Sequence, residues 1–208
     1  MRTNDALLEA DAAATRHSVE VVAEVAVADL ARPTPCTGWD LRALLAHMTA
    51  QHRGFAAAAA GRGADEAAWR TADTDDPVRA YAAAAHEVIA AFTADGVPER
   101  DFFLPDLGRS VPGQIAIGFH LVDYVVHGWD VARTIGTAYR PPRAALDLAL
   151  PIASAVPDGP ARRAPGAAFG PGLRVPDDAE TLDTILLLLG RDPAPARGPS
   201  GAGWQSPK

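Results

Sequence analysis

Residues that could bind a metal ion are concentrated on one predicted helix. Asp123 and His127 stand four residues apart in HLVDYVVHGWD, and His120 and Asp130 flank them. At about 100° per residue, all four fall within an arc of about 80°. The rest of segment 115–135 is apolar around nearly its whole circumference, so we expect this helix to be enclosed. A carboxylate buried there needs a hydrogen bond, a protonated histidine or a cation.

An imidazole and a carboxylate at positions i and i+4 can bind one ion from a single helical face, but a third ligand must come from another helix. The candidates for it are His17, His47, His52 and His86. On the second predicted helix, His52 lies nearer the centre of the apolar face than His47, so the helical wheel slightly favours His52. The alternative is a structural hydrogen bond between Asp123 and His127 without a metal.

The other polar residues are interpreted more simply. We expect His120 and Asp130 to support the site or the core rather than bind the ion, and His17 and His86 to be surface or packing residues. Cys36 is the only cysteine and precedes a predicted helix, where a thiolate is stabilised. We expect it to pack, with a nucleophilic role as the alternative.

The elements that must position these residues are helices. Segments 4–30, 41–61, 77–95 and 112–136 have helical composition and almost no strand alternation. Thr37 with Asp40, and Asp76 with Pro77, resemble helix starts. The sequence therefore predicts an all-α fold built on a four-helix bundle.

The predicted organisation is one bundle followed by a small extension. We assign residues 1–138 to the bundle, 139–190 to a short, mostly helical extension that packs on it, and 191–208 to a flexible Pro/Gly-rich tail. Within the extension, helices are predicted at 143–156 and 177–190. A short extended piece is predicted at 102–104.

Composition and charge exclude several classes of protein. A net charge of −7 without a basic cluster argues against nucleic-acid binding. One cysteine rules out an intramolecular disulfide framework and suits a reducing cytoplasm. The acidic N-terminal segment does not resemble a signal peptide, and the apolar stretch 115–129 is interrupted and shorter than the roughly 18 residues of a membrane span. We expect a cytoplasmic protein that binds a small molecule and is compatible with a homodimer.

Three stretches of the chain resemble a known family. They are PTPCTGWDLRALLAHMTAQHRGF, HLVDYVVHGWDVARTIG and FGPGLRVPDDAETLDTILLLLGRDP. The sequence is similar to short actinobacterial proteins related to the N-terminal domain of mycothiol-dependent maleylpyruvate isomerase, within the DinB-like metalloenzyme superfamily. The likeness extends along almost the whole chain.

This resemblance implies a bundle with a divalent metal, most often zinc, with nickel, iron or manganese as alternatives. It implies one histidine ligand from the second helix, which matches His47, and two ligands on the last helix, which match Asp123 and His127. The isomerase has Glu at the position of Asp123. The family also implies mycothiol as a cosubstrate.

Three functions follow as hypotheses. The first is a thiol-dependent transferase or isomerase acting on a small electrophile, in which Asp130 orients His127 or moves a proton and Arg133 holds a substrate carboxylate. The second is a Lewis-acid cyclase, isomerase or dehydratase of natural-product biosynthesis that uses no thiol. The third is a metal-binding protein without catalytic activity.

Overall fold

The computed structural model describes residues 3–164 and 167–194. Its helices are α1 (Thr3–Val22), α2 (Leu41–Ala59), α3 (Pro77–Phe92), α4 (Gly113–Ile135), α5 (Arg143–Ala155) and α6 (Thr181–Leu188). Two short strands, β1 (Asp101–Leu104) and β2 (Arg109–Pro112), pair antiparallel between α3 and α4. The predicted all-α fold is confirmed, with α1 to α4 as the four-helix bundle.

Local signals in the sequence set the ends of the helices that carry the site. The side chain of Asp40 accepts a hydrogen bond from the backbone N–H of Ala43 at 2.8 Å and begins α2. Asp76 caps α3 in the same way, with Pro77 in its first turn. Gly136 ends α4 in the left-handed region at φ +80°, where other residues are strained. As a result, α2 begins and α4 ends at a fixed point.

The core contains two apolar clusters. α4 packs along α1, and α2 packs along α3. One cluster includes Leu44, Met48 and Val131, while the other includes Phe92 and Phe102 with the hairpin. Side chains from α2 and α4 contribute to both clusters. His52 and His120 lie between the two clusters in sequence, whereas His127 lies within the part of α4 that contributes to the first cluster. The seam between α2 and α4 is where the candidate site lies.

α1 is shorter than predicted. It ends at Val22 rather than near 30, and Ala26 has extended backbone angles. The backbone N–H of Ala26 donates to the side chain of Asp29 at 3.0 Å, which competes with helix continuation. The β-branched Val25 and Val27 add to this, because branching at Cβ lowers helix propensity. The segment therefore turns before reaching α2.

The hairpin contains the extended piece predicted at 102–104 and a second strand that was not predicted. Phe102 pairs with Val111, and both side chains are buried. Gly108 makes the turn at φ +59°. Only four residues form each strand, which is too short for sequence alternation to stand out.

The chain divides into two compact units, from Met1 to Pro157 and from Asp158 onward. α5 therefore belongs to the first unit. Within the second unit, Arg162 donates to the backbone oxygen of Leu188 at 2.6 Å. Much of the predicted flexible tail, from 195 on, lies outside the described residues. None of the described helices has the length and apolar character needed to cross a bilayer.

Candidate metal centre

Side chains from α2 and α4 converge at the seam between these helices. Asp123 and His127 lie one turn apart on α4, and His47 faces them from the first half of α2. One ligand atom from each of the three residues lies within 4.8 Å of the other two. Nε2 of His127 is 3.8 Å from Oδ1 of Asp123, and the rings of His47 and His127 meet edge to face at 5.5 Å. The structure thus brings together His47, Asp123 and His127.

A buried carboxylate orients the ring of His127 from the side opposite Asp123. Its Nδ1 lies 2.9 Å from Oδ2 of Asp130, whose side chain is fully buried. A carboxylate can only accept, so this hydrogen bond assigns a proton to Nδ1. Nε2 is then the nitrogen that faces Asp123 and is able to bind a cation. Asp130 therefore fixes both the orientation and the tautomer needed for coordination.

Cys36 completes the support behind His127. Its Sγ donates a hydrogen bond to Oδ2 of Asp130 at 3.2 Å and lies 3.9 Å from Nδ1 of His127. A second set of closely spaced ligand atoms comes from Cys36, His127 and Asp130. Because hydrogen bonds already join these atoms, we assign them to positioning His127.

The two histidines titrate differently. Burial lowers the pKa of His127, but the hydrogen bonds to Asp130 and Cys36, together with the charges of Asp123 and Asp130, outweigh burial and raise the pKa to about 10. The pKa of His47 is lowered, first by burial and then by the neighbouring His127. The carboxylates of Asp123 and Asp106 partly offset that shift. At neutral pH His47 is ready to donate a lone pair, whereas a cation must displace a proton from His127.

This donor set fits a divalent cation. Two imidazoles and one carboxylate are a ligand set used by catalytic zinc sites, which keep a further position for water or substrate. The side chain of Asp123 is 21% exposed, so the group can be reached from solvent. The indole of Trp39 lies 4.7 Å from the ring of His47.

The histidine that the helical wheel favours has a different role. His52 is fully buried, and its Nδ1 lies 3.0 Å from Nε2 of His120. Nδ1 of His120 in turn lies 2.6 Å from Oδ1 of Asp11 on α1. The ring of His52 also stacks on Tyr124 at 3.8 Å. Three helices are thereby joined through one buried hydrogen-bonded chain, and neither His52 nor His120 reaches the ligand group.

The remaining predicted residues are not among the three converging ligands. The guanidinium of Arg133 lies 6.0 Å from the ring centre of Trp129, and Arg133 follows His127 by six residues, about 9 Å along the axis of α4 at 1.5 Å per residue. His17 stacks on Tyr139 and contacts Glu20. His86 is exposed on α3.

Sequence reasoning missed two contributors. The contact between Cys36 and Asp130 joins residues 94 apart in the chain, which no spacing rule could reveal. Asp11 had a detectable signal, because it is an acidic residue in the alanine-rich part of α1 near Leu7 and Leu8. A carboxylate on an apolar helical face needs a buried partner, and here that partner is His120.

Solved structures with the same fold include the crystal structure of the mycothiol-dependent maleylpyruvate isomerase. It is 16% identical to this chain with a TM-score of 0.55, and the match covers 74% of this chain and 70% of that one. A histidine-to-alanine mutant of the isomerase matches over the same shares, with a TM-score of 0.57 and 15% identity. At this level of identity, the likeness establishes the fold.

Sequence comparisons establish the family. Uncharacterized proteins from two strains of Mycobacterium tuberculosis are each 33% identical over 182 residues, covering 82% of this chain and 90% of the relative. The family model for the mycothiol maleylpyruvate isomerase N-terminal domain matches residues 12–132, a range that contains all three converging side chains. The chain therefore belongs to the mycothiol maleylpyruvate isomerase N-terminal domain family.

Proposed function

We propose that the protein is a metal-dependent enzyme that uses a low-molecular-weight thiol, mycothiol, as a cosubstrate. The enzyme either transfers this thiol to a small electrophilic substrate or isomerises that substrate. One observation carries the proposal. Nε2 of His127 faces Asp123 beside His47, while Asp130 holds the opposite side of the His127 ring at 2.9 Å. Membership of a family named for a mycothiol-dependent isomerase supports the thiol.

We propose His47, Asp123 and His127 as the ligands of a zinc ion. Zinc accepts imidazole, carboxylate and thiolate ligands, whereas calcium and magnesium favour oxygen. A bound divalent cation lowers the pKa of a thiol that coordinates it, so that the thiolate prevails near neutral pH. We also propose the cytoplasm as the location, because a free thiol cosubstrate persists in a reducing compartment.

The residues of this chain supply orientation and proton transfer. Asp130 keeps the His127 ring aligned, and Cys36 keeps the Asp130 carboxylate in place. Oδ1 of Asp123 faces His127, and we assign its second oxygen to take up the proton that the thiol loses. Trp39 shields the approach beside His47 from water. These roles make Asp130 and Cys36 positioning residues.

The chemistry balances in both outcomes. In a transfer, the thiol sulfur forms an S–C bond to the electrophilic carbon, and the S–H proton passes through Asp123 to the carbon or heteroatom that receives the displaced electron pair. In an isomerisation, rotation follows about the bond that addition has made single. The S–C bond then breaks, the proton returns and free thiol is restored.

The test is thiol consumption by the zinc-loaded protein. Mycothiol and a panel of electrophiles with activated double bonds are incubated with protein, and free thiol and substrate isomers are measured together. We expect thiol loss or isomer formation that is abolished in Asp123→Ala and kept in His86→Ala, which changes an exposed histidine on α3. Turnover of an electrophile in the absence of thiol would instead support the Lewis-acid enzyme. Binding of zinc without any turnover would support the non-catalytic role.

A further inference from the structure

Exposed apolar side chains gather around the candidate metal centre. In the described part of the first unit, the large apolar residues that are exposed are Val27, Trp39, Leu107, Ile115 and Phe119. Of these, Ile115 and Phe119 lie on α4, and Trp39 lies beside His47. Single exposed apolar residues are ordinary on a protein surface, but a group of them beside a polar site is typical of a ligand-binding face.

On α4, the apolar residues lead directly to a ligand. Phe119 is one helical turn before Asp123, and Ile115 is one turn before Phe119. Residues at this spacing share a face, and helical side chains lean toward the N-terminus, so the side chain of Asp123 leans toward Phe119. Phe119 is 38% exposed and Ile115 is 44% exposed. At 1.5 Å per residue, this apolar track is about 12 Å long.

The opposite border is formed by the segment before α2 and by the hairpin turn. Trp39 is 36% exposed, and its ring lies 4.7 Å from that of His47. Leu107 is 45% exposed and follows Asp106, a carboxylate close enough to raise the pKa of His47. The centre therefore has apolar surface on both sides. We call the four residues Trp39, Leu107, Ile115 and Phe119 the apolar rim.

The charges beside the centre do not favour an anion. Two carboxylates lie against His127: Oδ2 of Asp130 is 2.9 Å from its Nδ1, and Oδ1 of Asp123 is 3.8 Å from its Nε2. A divalent cation bound there would bring two positive charges against these two negative ones, so no excess positive charge remains for a substrate with two carboxylates.

Resting on the proposed function, we infer that the electrophile handled at this centre is an uncharged molecule with an apolar aromatic or alkyl body that lies along Phe119 and Ile115, and is not a dicarboxylate. Burial of apolar surface stabilises the complex in proportion to the area covered. The apolar rim supplies that area, while the carboxylates around the centre repel a dianion. The reactive carbon then lies at the end of the track beside Asp123.

Direct binding to the zinc-loaded full chain, measured by calorimetry without thiol, tests this inference separately from turnover. The probes are an uncharged enone with a six-carbon alkyl chain and an unsaturated dicarboxylate of the same length. We expect the enone to bind at least tenfold more tightly. Phe119→Lys should weaken enone binding about tenfold and strengthen dicarboxylate binding. Val27→Lys, which alters an exposed valine outside the rim, should change neither.

Three results would overturn the inference. The first is dicarboxylate binding equal to or tighter than enone binding. The second is enone affinity that is unchanged in both Phe119→Ala and Ile115→Ala. The third is a wild type that binds no enone and forms a dimer in sedimentation, which Phe119→Lys dissociates. The last result would assign the apolar rim to an interface between copies. Metal content is measured on the same samples. A protein that binds zinc and consumes thiol but fails these binding tests would refute the inference alone, whereas one that holds no zinc would refute the proposed function.

Discussion

Oδ2 of Asp130 lies 2.9 Å from Nδ1 of His127, and Nε2 of the same ring is the nitrogen that faces Asp123. One carboxylate thus decides which nitrogen of His127 is offered to a cation. A buried aspartate three residues after a ligand histidine could have been interpreted as an extra ligand. Its hydrogen bonds to His127 and Cys36 show instead that Asp130 orients the ligand histidine.

Removing the charge of Asp130 should weaken metal binding. In Asp130→Asn, the amide no longer holds the Nδ1 proton as strongly, so the His127 ring loses basicity and orientation. Loss of such a partner typically costs about 10- to 100-fold in metal affinity. Competition for zinc against a chromogenic chelator measures the change. Asp147→Asn, on the exposed face of α5, is the control. An affinity in Asp130→Asn within twofold of wild type would contradict the role of Asp130.

Cys36 should act through its hydrogen bond rather than as a nucleophile. Cys36→Ser keeps a donor for Asp130, so we expect zinc affinity and thiol consumption within about threefold of wild type. Cys36→Ala removes the donor and should weaken zinc binding by a few-fold, in line with the loss of about 1 kcal/mol for one hydrogen bond. The same chelator assay and thiol assay measure both variants. Complete loss of thiol consumption in Cys36→Ser, with zinc retained, would identify Cys36 as a reacting group.

The buried histidine chain predicts instability in acid. Burial, and then the neighbouring His120, lower the pKa of His52 well below its usual value of 6.5. Below about pH 6.5 the unfolded chain therefore binds a proton that folded His52 excludes, and stability falls as pH falls. One such group removes up to about 1.4 kcal/mol per pH unit. The pKa of His127 shifts the other way, to about 10, so its contribution is complete below 6.5 and is lost as pH rises toward 10.

Chemical denaturation in a chelator at pH 7.5, 6.5 and 5.5 measures this dependence. We expect the free energy of unfolding to be lower at pH 5.5 than at pH 6.5. His52→Gln should be less stable at pH 7.5, because the stacking of the His52 ring on Tyr124 is lost, and less sensitive to acid. An equal acid sensitivity in wild type and His52→Gln would show that another group is responsible. His86→Gln, on the exposed side of α3, controls for loss of a histidine.

Gly128 should not tolerate a methyl group. A Cβ there would lie 2.5 Å from the hydroxyl of Tyr139 and 3.0 Å or less from its ring. Tyr139 is held by stacking on His17 and by donating to the backbone oxygen of Tyr124. Replacing Gly by Ala within a helix ordinarily stabilises by about 1 kcal/mol. Here we expect Gly128→Ala to destabilise by about 1–3 kcal/mol, because a rigid ring must move.

Gly118 is the matched control for that substitution. It lies on the same helix, and a Cβ there would meet only the flexible end of Ile152, at 3.0 Å. Gly118→Ala should therefore change the free energy of unfolding little. Thermal and denaturant unfolding of both variants give the comparison. Equal stability of the two variants would show that Tyr139 does not restrict α4 at Gly128.

The helices could be predicted from the sequence because their signals are local. Capping of α3 by Asp76 and termination of α4 by Gly136 depend on residues a few positions apart. The start of α2 was predicted near the right place, but its cap is Asp40 itself rather than Thr37. The predicted end of α1 was wrong. The contact of Asp29 with the backbone of Ala26 competes with helix continuation, and it depends on a turn that composition does not show. The second strand was missed because it is four residues long.

The choice between His47 and His52 could not be made from one helix. A helical wheel measures how central a residue is on the apolar face, and His52 is the more central of the two. A buried histidine nitrogen needs a hydrogen-bond partner, and the partner of His52 Nδ1 is His120, which Asp11 holds from α1. These contacts join residues 68 and 109 positions apart, so only the family resemblance pointed to His47 beforehand.

Metal content of the protein purified without a His-tag tests the central claim most directly. Elemental analysis of the wild type should find about one zinc ion per chain, since a site with three protein ligands binds one ion. His47→Ala and His127→Ala should each lose nearly all of it, and Asp123→Asn, which keeps the side-chain shape, should lose most of it. His86→Ala should retain it, with circular dichroism confirming the helices in every variant. Full zinc occupancy in folded His47→Ala and His127→Ala would contradict the account.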